Sequence, residues 1–506
     1  MKVHHVAVHA GEERLRREGQ LAWTLAEMAA GDVEVGPEVA GMVVNRLIDD
    51  AAVAAAALDR RPVTSARAAA ASHPPSTGGS GASVFGLPAD HKVSPEWAAL
   101  ANGVAVRELD FHDAFLAEEY SHPGDNIPPV LAVAQHAGLA GHDLVRGIVT
   151  GYEVQIDLAR AISLHRHGID HVAHLGPSVA AAVGTLLRLP AGTIYQAIGQ
   201  ALHTTTSTRQ SRKGRISSWK AYAPGLAGKL AVEAVDRAMR GETSPSPIYE
   251  GEDGVMARML AGPGAGYDVA LPGPGEPLVA ILDSFTKEHS AEYQAQAWID
   301  LARRLGQARP EVADPDQVEA VTIHTSHHTH AVIGSGSGDP EKYDPEASRE
   351  TLDHSLPYIF AVAVQDGCWH HERSYAPERA ARPDTVNLWH KVATVEDPEW
   401  DKAYHATGGS QSFGGRVVVR LAGGGQLVDE IAVADAHPLG AHPFGREEYV
   451  AKYRELAEPA VGAEEAERFL DLALRLPELG PEEVRRLTFT VLPAGGPDRV
   501  PQPGLF

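Results

Sequence analysis

Residues Leu144–Ile162 read LVRGIVTGYEVQIDLARAI, and the spacing of their apolar members sets the fold class. Val145, Ile148, Val149, Tyr152, Ile156, Leu158 and Ala159 recur close to the 3.6-residue period of a helix with a buried face. Leu226–Met239 repeats the pattern, with Leu226, Leu230, Val235 and Met239 expected along one side. His73–Gly81, carrying Pro74, Pro75, Gly78 and Gly79, reads as a loop between helical segments. The first half of the chain is therefore expected to be mostly helix.

Patterning changes after the Gly- and Pro-rich segment Gly262–Pro277. Gln317–Ile333 alternates and is rich in β-branched residues, while Arg416–Leu421 and Gln426–Val433 flank Gly423, Gly424 and Gly425 as the strands of a hairpin would. Ala297–Leu305 and Ile359–Val364 fit helices between these strands, and Tyr449–Leu456 and Ala463–Leu476 return to helical spacing. The expected fold is mainly α with an α+β insertion. Its expected parts are a helical region 1–277, an α+β domain 278–436 and a helical region 437–506.

The chain has 506 residues, 43% hydrophobic and 22% charged, an ordinary globular balance with room for several domains. Its formal net charge of -23 repels nucleic acid and anionic membrane over most of the surface. An anionic substrate then requires a locally basic pocket. Cys368 is the single cysteine, which excludes an intrachain disulfide and an iron–sulfur cluster held by about three or four thiolates. Near the N-terminus Glu12, Glu13, Arg14, Arg16, Arg17 and Glu18 leave no apolar core for a secretory signal. The run Ala51–Leu58 stops at Asp59, Arg60 and Arg61, short of the about 20 residues that span a bilayer. A cytoplasmic protein is expected.

Four constellations bear on chemistry. Asp110-Phe111-His112-Asp113, followed by Ser121-His122-Pro123-Gly124-Asp125-Asn126, packs carboxylates and imidazoles tightly enough to supply a general acid and base. Asp125 or Asn126 can equally cap a helix starting near Ile127. Arg209, Arg212, Lys213, Arg215 and Lys220 form a basic run with no acid between them, beside Trp219, Tyr222 and Pro224. Guanidinium forks and ammonium charges gathered in this way suit a polycarboxylate; a solvated loop is the plainer alternative.

His324, His327, His328 and His330 suggest a metal site. On a strand, however, His324, His328 and His330 share one face while His327 points away, and no carboxylate or cysteine within the strand completes a shell. A polar interface is expected there, without metal. Asp353-His354-Ser355, ahead of Leu356-Pro357-Tyr358, is no hydrolytic triad, because triad members meet in space rather than within three positions. A capping turn, or an anion site at a helix N-terminus, fits better. Gly423–Gly425 precedes a strand and so is no dinucleotide loop. No cofactor is indicated.

These residues carry a family likeness. Asn102-Gly103 through Leu109-Asp110-Phe111, His122 through Asn126, Gly151 through Gln155, Lys213 through Lys220, Asp353 through Tyr358, and Pro438-Leu439-Gly440-Ala441-His442-Pro443 resemble MmgE/PrpD proteins over most of the chain. The interval Asp110–His122, the phrase Arg209 through Gly214, and Tyr375-Ala376-Pro377-Glu378-Arg379 resemble the branch that dehydrates 2-methylcitrate. The resemblance implies a large all-helical domain built from both chain ends, an inserted α+β lid, an active site between them and a homodimer. It also implies a metal-independent hydro-lyase acting on a small tricarboxylate, with Asp110, His122 and Lys220 matching catalytic positions of related cis-aconitate decarboxylases. Ala114 stands where those decarboxylases have threonine, while Ala173 and Glu292 stand near positions that are histidine there; the departures argue against decarboxylation.

Arg209, Arg212, Lys213, His171, His174, Glu292 and His354 are the expected substrate contacts. The competing readings are hydration or decarboxylation of cis-aconitate, epimerisation of an amino-diacid, and a non-catalytic polycarboxylate binder.

Overall fold

A computed structural model of the chain describes residues 1–11, 15–76, 78–406, 410–491 and 504. Glu12, Glu13 and Arg14, read above for their charge, lie outside the described residues. The mainly α architecture with a smaller α+β part is present. One apolar core gathers residues between Val6 and Ile281 and, from the far end of the chain, Tyr449 to Phe489. A second core is drawn from Ala291 to Ala434. A small aromatic cluster of Ala114, Leu116, Phe285, Tyr293, Tyr404 and Phe413 combines residues from both spans.

The helix Gly141–Ala161 covers nearly all of the periodic stretch Leu144–Ile162, and it is buried nearly all round rather than on one face. It is enclosed within the first core, which is why Glu153, Gln155 and Asp157 are buried beside Ile156 and Leu158. The helix Trp219–Met239 buries Val235 as expected but corrects the rest of the expected face. Leu226 and Leu230 are only half buried and Met239 is 54% exposed, while Ala223, Ala227, Ala231 and Ala234 face inward.

The reason is a close helix crossing. A Cβ on Gly103 would lie 2.9 Å from the Gly225 Cα, and one on Gly225 would lie 2.8 Å from the Leu100 carbonyl oxygen. The helices Pro95–Glu108 and Trp219–Met239 therefore touch backbone to backbone, and only small side chains fit between them.

The first core is not all helix. Strand β1 (Lys2–Ala7) pairs antiparallel with a strand at Gly266–Leu271 inside the segment read as a Gly/Pro break. Two short strands, β2 (Phe115–Leu116) and β3 (Tyr120–Ser121), form a ribbon between them in sequence, so the Gly266–Leu271 strand is β4. The second core holds a four-stranded sheet in the order β6-β5-β7-β8, with β5 at Val318–Thr325, β6 at Val392–Glu396, β7 at Gly415–Leu421 and β8 at Gln426–Ile431. β5 and β6 run parallel, and β7–β8 is the hairpin expected around the three glycines.

The expected strand through His330 ends at Thr325. Ser326 accepts from the Thr329 amide as an N-cap and His327–Val332 is helical, so the four histidines do not share a strand. No helix among the described residues is long and apolar enough to cross a membrane.

Candidate active site

The glycine-mediated crossing places two charged residues together. Asp110 follows the C-terminal end of the helix Pro95–Glu108, and Lys220 lies in the first turn of Trp219–Met239. Asp110 has a left-handed backbone, φ 50°, a conformation that Asp and Asn tolerate better than other non-glycine residues. The turn directs its carboxylate back into a wholly buried space.

Three cations hold that carboxylate. Lys287 Nζ lies 2.6 Å and Arg107 Nη1 2.7 Å from Oδ1, and Lys220 Nζ lies 3.2 Å from Oδ2. Lys220 also donates to both oxygens of Asp353 at 2.7 and 2.8 Å. Arg349 donates to Asp353 at 3.1 Å and to the Leu109 carbonyl at 3.1 Å. Asp353 belongs to the second span of chain, so this cluster bridges the two cores. Four buried cations, Arg107, Lys220, Lys287 and Arg349, thus face two carboxylates, Asp110 and Asp353. The surplus of positive charge suits an incoming carboxylate.

His122 sits beside the cluster. Its Nδ1–H donates to the Asp113 carbonyl at 2.9 Å, which leaves Nε2 as an acceptor, and Arg107 Nη2 lies 3.2 Å from it. Nε2 is 3.9 Å from Asp110 Oδ1. Burial, with Arg107 and Lys287 nearby, holds the His122 pKa well below the usual imidazole value, so the ring is neutral. Asp110 is held well below the usual carboxylate value, because Arg107, Lys220 and Lys287 together outweigh the burial that opposes them.

Burial drives Glu292 the other way, up to about 7, despite Lys287 nearby. It caps a turn by accepting from the Gln294 amide at 2.7 Å. His354 Nδ1 hydrogen-bonds Asp353 and lies 3.8 Å from Asp110, and burial lowers its pKa to about 4. The side chains of His354 and His122 retain 13% and 9% exposure against 1% for Asp110, which marks the side from which solvent reaches the cluster.

Of the residues expected from sequence, Asp110, His122, Lys220 and His354 are in direct contact, and Glu292 reaches them through its amide, which donates to the Asp353 carbonyl at 3.1 Å. His171 packs its ring 5.4 Å from that of His122; both nitrogens are buried without a hydrogen bond among the described residues, and Nε2 lies 3.8 Å from Asp170 Oδ1. Such a neutral ring is ready to hydrogen-bond an incoming ligand. Arg212 is not free. It pairs with Asp170 at 3.1 Å and donates to the Lys220 carbonyl, so it positions the first turn of the lysine helix. Arg209 donates to the Tyr120 hydroxyl at 3.2 Å. Lys213 is exposed, and His174 spends Nε2–H on the Ile162 carbonyl at 2.9 Å, so neither joins the cluster.

Sequence reasoning missed Arg107, Lys287 and Arg349, and it read Asp353 as part of a capping turn or of an anion site at a helix N-terminus. Arg107 stands three residues before Asp110, a helical spacing that offered a signal. Lys287 and Arg349 carried none. Ser355 does cap the next helix, accepting from the Tyr358 amide.

Asp110, Asp353 and His354 place metal-ligand atoms within 4.8 Å of one another. Lys220 Nζ lies 3.2 Å from Asp110, 2.7 Å from Asp353 and 3.3 Å from His354 Nδ1, so its ammonium takes the position of a metal ion.

A helical body and a second α+β core are thus joined by a buried, cation-rich cluster of acid–base groups. The models for the MmgE/PrpD N-terminal and C-terminal domains match residues 19–268 and 289–478, and the chain belongs to the MmgE/PrpD family. A mitochondrial 2-methylcitrate dehydratase of Yarrowia lipolytica is 28% identical over 71% of this chain and 68% of its own length. The 2-methylcitrate dehydratase of Salmonella typhimurium is 26% identical over 71% of this chain and 74% of its own. An alkylcitrate dehydratase from a fungal species is 27% identical over 58% of this chain and 60% of its own.

Proposed function

We propose that the chain is a 2-methylcitrate dehydratase, removing water from 2-methylcitrate to give 2-methyl-cis-aconitate in propionate catabolism, as a cytoplasmic homodimer that uses side chains rather than metal. The single observation that carries this reading is the neutral His122 beside a buried cluster with surplus positive charge. The proton to be removed lies α to a carboxylate, and its loss places negative charge on that group. Lys220, Lys287 and Arg107 are already arranged to stabilise it. A substrate carboxylate that draws Arg107 Nη2 to itself frees the Nε2 lone pair of His122, which takes the proton as the carbon–carbon double bond forms. Glu292, partly protonated at neutral pH, delivers a proton to the departing hydroxyl so that it leaves as water. His171 and Arg209 hold the remaining carboxylates.

The test is incubation with 2-methylcitrate, citrate and cis-aconitate, followed by NMR of the products. The expected result is 2-methyl-cis-aconitate from 2-methylcitrate at the highest kcat/KM. Carbon dioxide released from cis-aconitate, with 2-methylcitrate untouched, would overturn the reading.

A further inference from the structure

A second group of ligand-type side chains lies outside the catalytic cluster. Glu288, His289 and Asp300 bring one ligand atom each within 4.8 Å of one another. Glu288 and His289 also line a cavity of about 270 Å³ that is walled by Phe111, Trp369, His370 and Glu455. The cavity joins residues of the two cores, and it opens one residue beyond Lys287.

The surroundings hold His289 and Asp300 still. His289 Nε2 lies 2.8 Å from Asp300 Oδ1, and the other Asp300 oxygen accepts from the Asp435 amide at 2.8 Å. The main chain of His289 is clamped on both sides by the Gln296 amide, at 2.9 Å each. A carboxylate fixed by a backbone donor is the kind of support that metal ligands have, and the clamped main chain sets the direction of the imidazole. Nearby Lys452 does not compete. Its ammonium is spent on Asp49 at 2.7 Å and on the Phe111 and Lys287 carbonyls, leaving only its stem to the cavity. His370 is not a ligand, because its Nδ1 accepts from the Glu372 and Arg373 amides and its proton therefore stays on Nε2.

We propose that Glu288, His289 and Asp300 form a non-catalytic site for a divalent ion of the zinc type, with water in the adjoining cavity completing its shell. One nitrogen and two carboxylate oxygens are the donor set zinc accepts, at about 2.0–2.2 Å. On binding, the ion takes the place of the Nε2 proton between His289 and Asp300, and the neutral ring carries its one proton on Nδ1 instead. The ion ties the 288–289 segment to the helix Gln296–Ala308, so occupancy stiffens the chain next to Lys287.

The test needs no turnover. Full-length protein stripped with a chelator is titrated with zinc by calorimetry, and its thermal unfolding is followed with and without the ion. The expected result is one equivalent bound per chain and a raised Tm, with affinity falling about tenfold or more in Glu288→Gln and His289→Gln. Glu288→Gln decides the matter if His289→Gln does not fold, since its metal-free Tm should match wild type. A triple His324→Gln, His327→Gln, His330→Gln variant should bind as wild type does. No zinc bound by wild type, or binding that survives Glu288→Gln and vanishes in the triple variant, would overturn the proposal.

Discussion

Asp110 and Asp50 are both fully buried, yet their surroundings drive their protons in opposite directions. Asp110 faces Arg107, Lys220 and Lys287 and stays ionised. Asp50 faces Asp113, Asp49 and Asp125, with Arg46 the opposing cation, and burial plus these like charges raises its pKa well above the ordinary value. Burial alone penalises the charged form in both places. The neighbours decide which aspartate pays with a proton, and the site that keeps its charge is the one that bridges the two cores.

Breaking this contrast should give the largest effects. In Lys220→Ala the substrate loses a cation and Asp110 loses a partner, so KM should rise and kcat fall together, measurable in one steady-state series. If only KM moved, Lys220 would be a binding group without a role in the transition state.

Stability separates the two aspartates. Asp110→Asn leaves buried cations without their counter-charge and should cost about 3–5 kcal/mol by denaturant unfolding at pH 7. The sign follows from its depressed pKa: the stabilisation is present above the unfolded value and is lost as pH falls through the folded one. Asp50 behaves in reverse, with stability present below its unfolded value and lost as pH rises toward its raised folded value. Asp50→Asn should therefore match or exceed wild-type stability at pH 7.5 and gain nothing at pH 4. Equal losses in both variants would show that shape, not charge, sets the difference.

A smaller effect concerns Glu292. With its carboxyl raised to about 7, activity that needs its proton should decline above neutral pH. Glu292→Gln should lower kcat and flatten that alkaline limb. An unchanged limb would assign the descent to another group.

The sequence displayed some of this and hid the rest for physical reasons. Helical spacing announced the helix Gly141–Ala161, and glycines with flanking β-branched residues announced the β7–β8 hairpin, because both signals are local. The inward face of Trp219–Met239 was misread because hydrophobicity suggested leucines while the crossing at Gly103 and Gly225 demands small residues. Strands β1 and β4 escaped because their pairing joins positions more than 250 residues apart. Asp110, His122 and Lys220 stood out through dense motifs. Lys287 and Arg349 reach the same cluster from positions with no motif around them. The basic run from Arg209 to Lys220 looked uncompensated, since the acid that pairs with Arg212 is Asp170, a partner supplied by folding.

The most direct measurement is kcat on 2-methylcitrate for a His122→Ala protein shown by thermal unfolding to be folded. A neutral imidazole that takes the substrate proton acts mainly in the transition state. The expected result is a fall in kcat of about 10²–10⁴ with KM little changed. A folded His122→Ala enzyme with near wild-type kcat would contradict the assignment and move the base to His171 or His354.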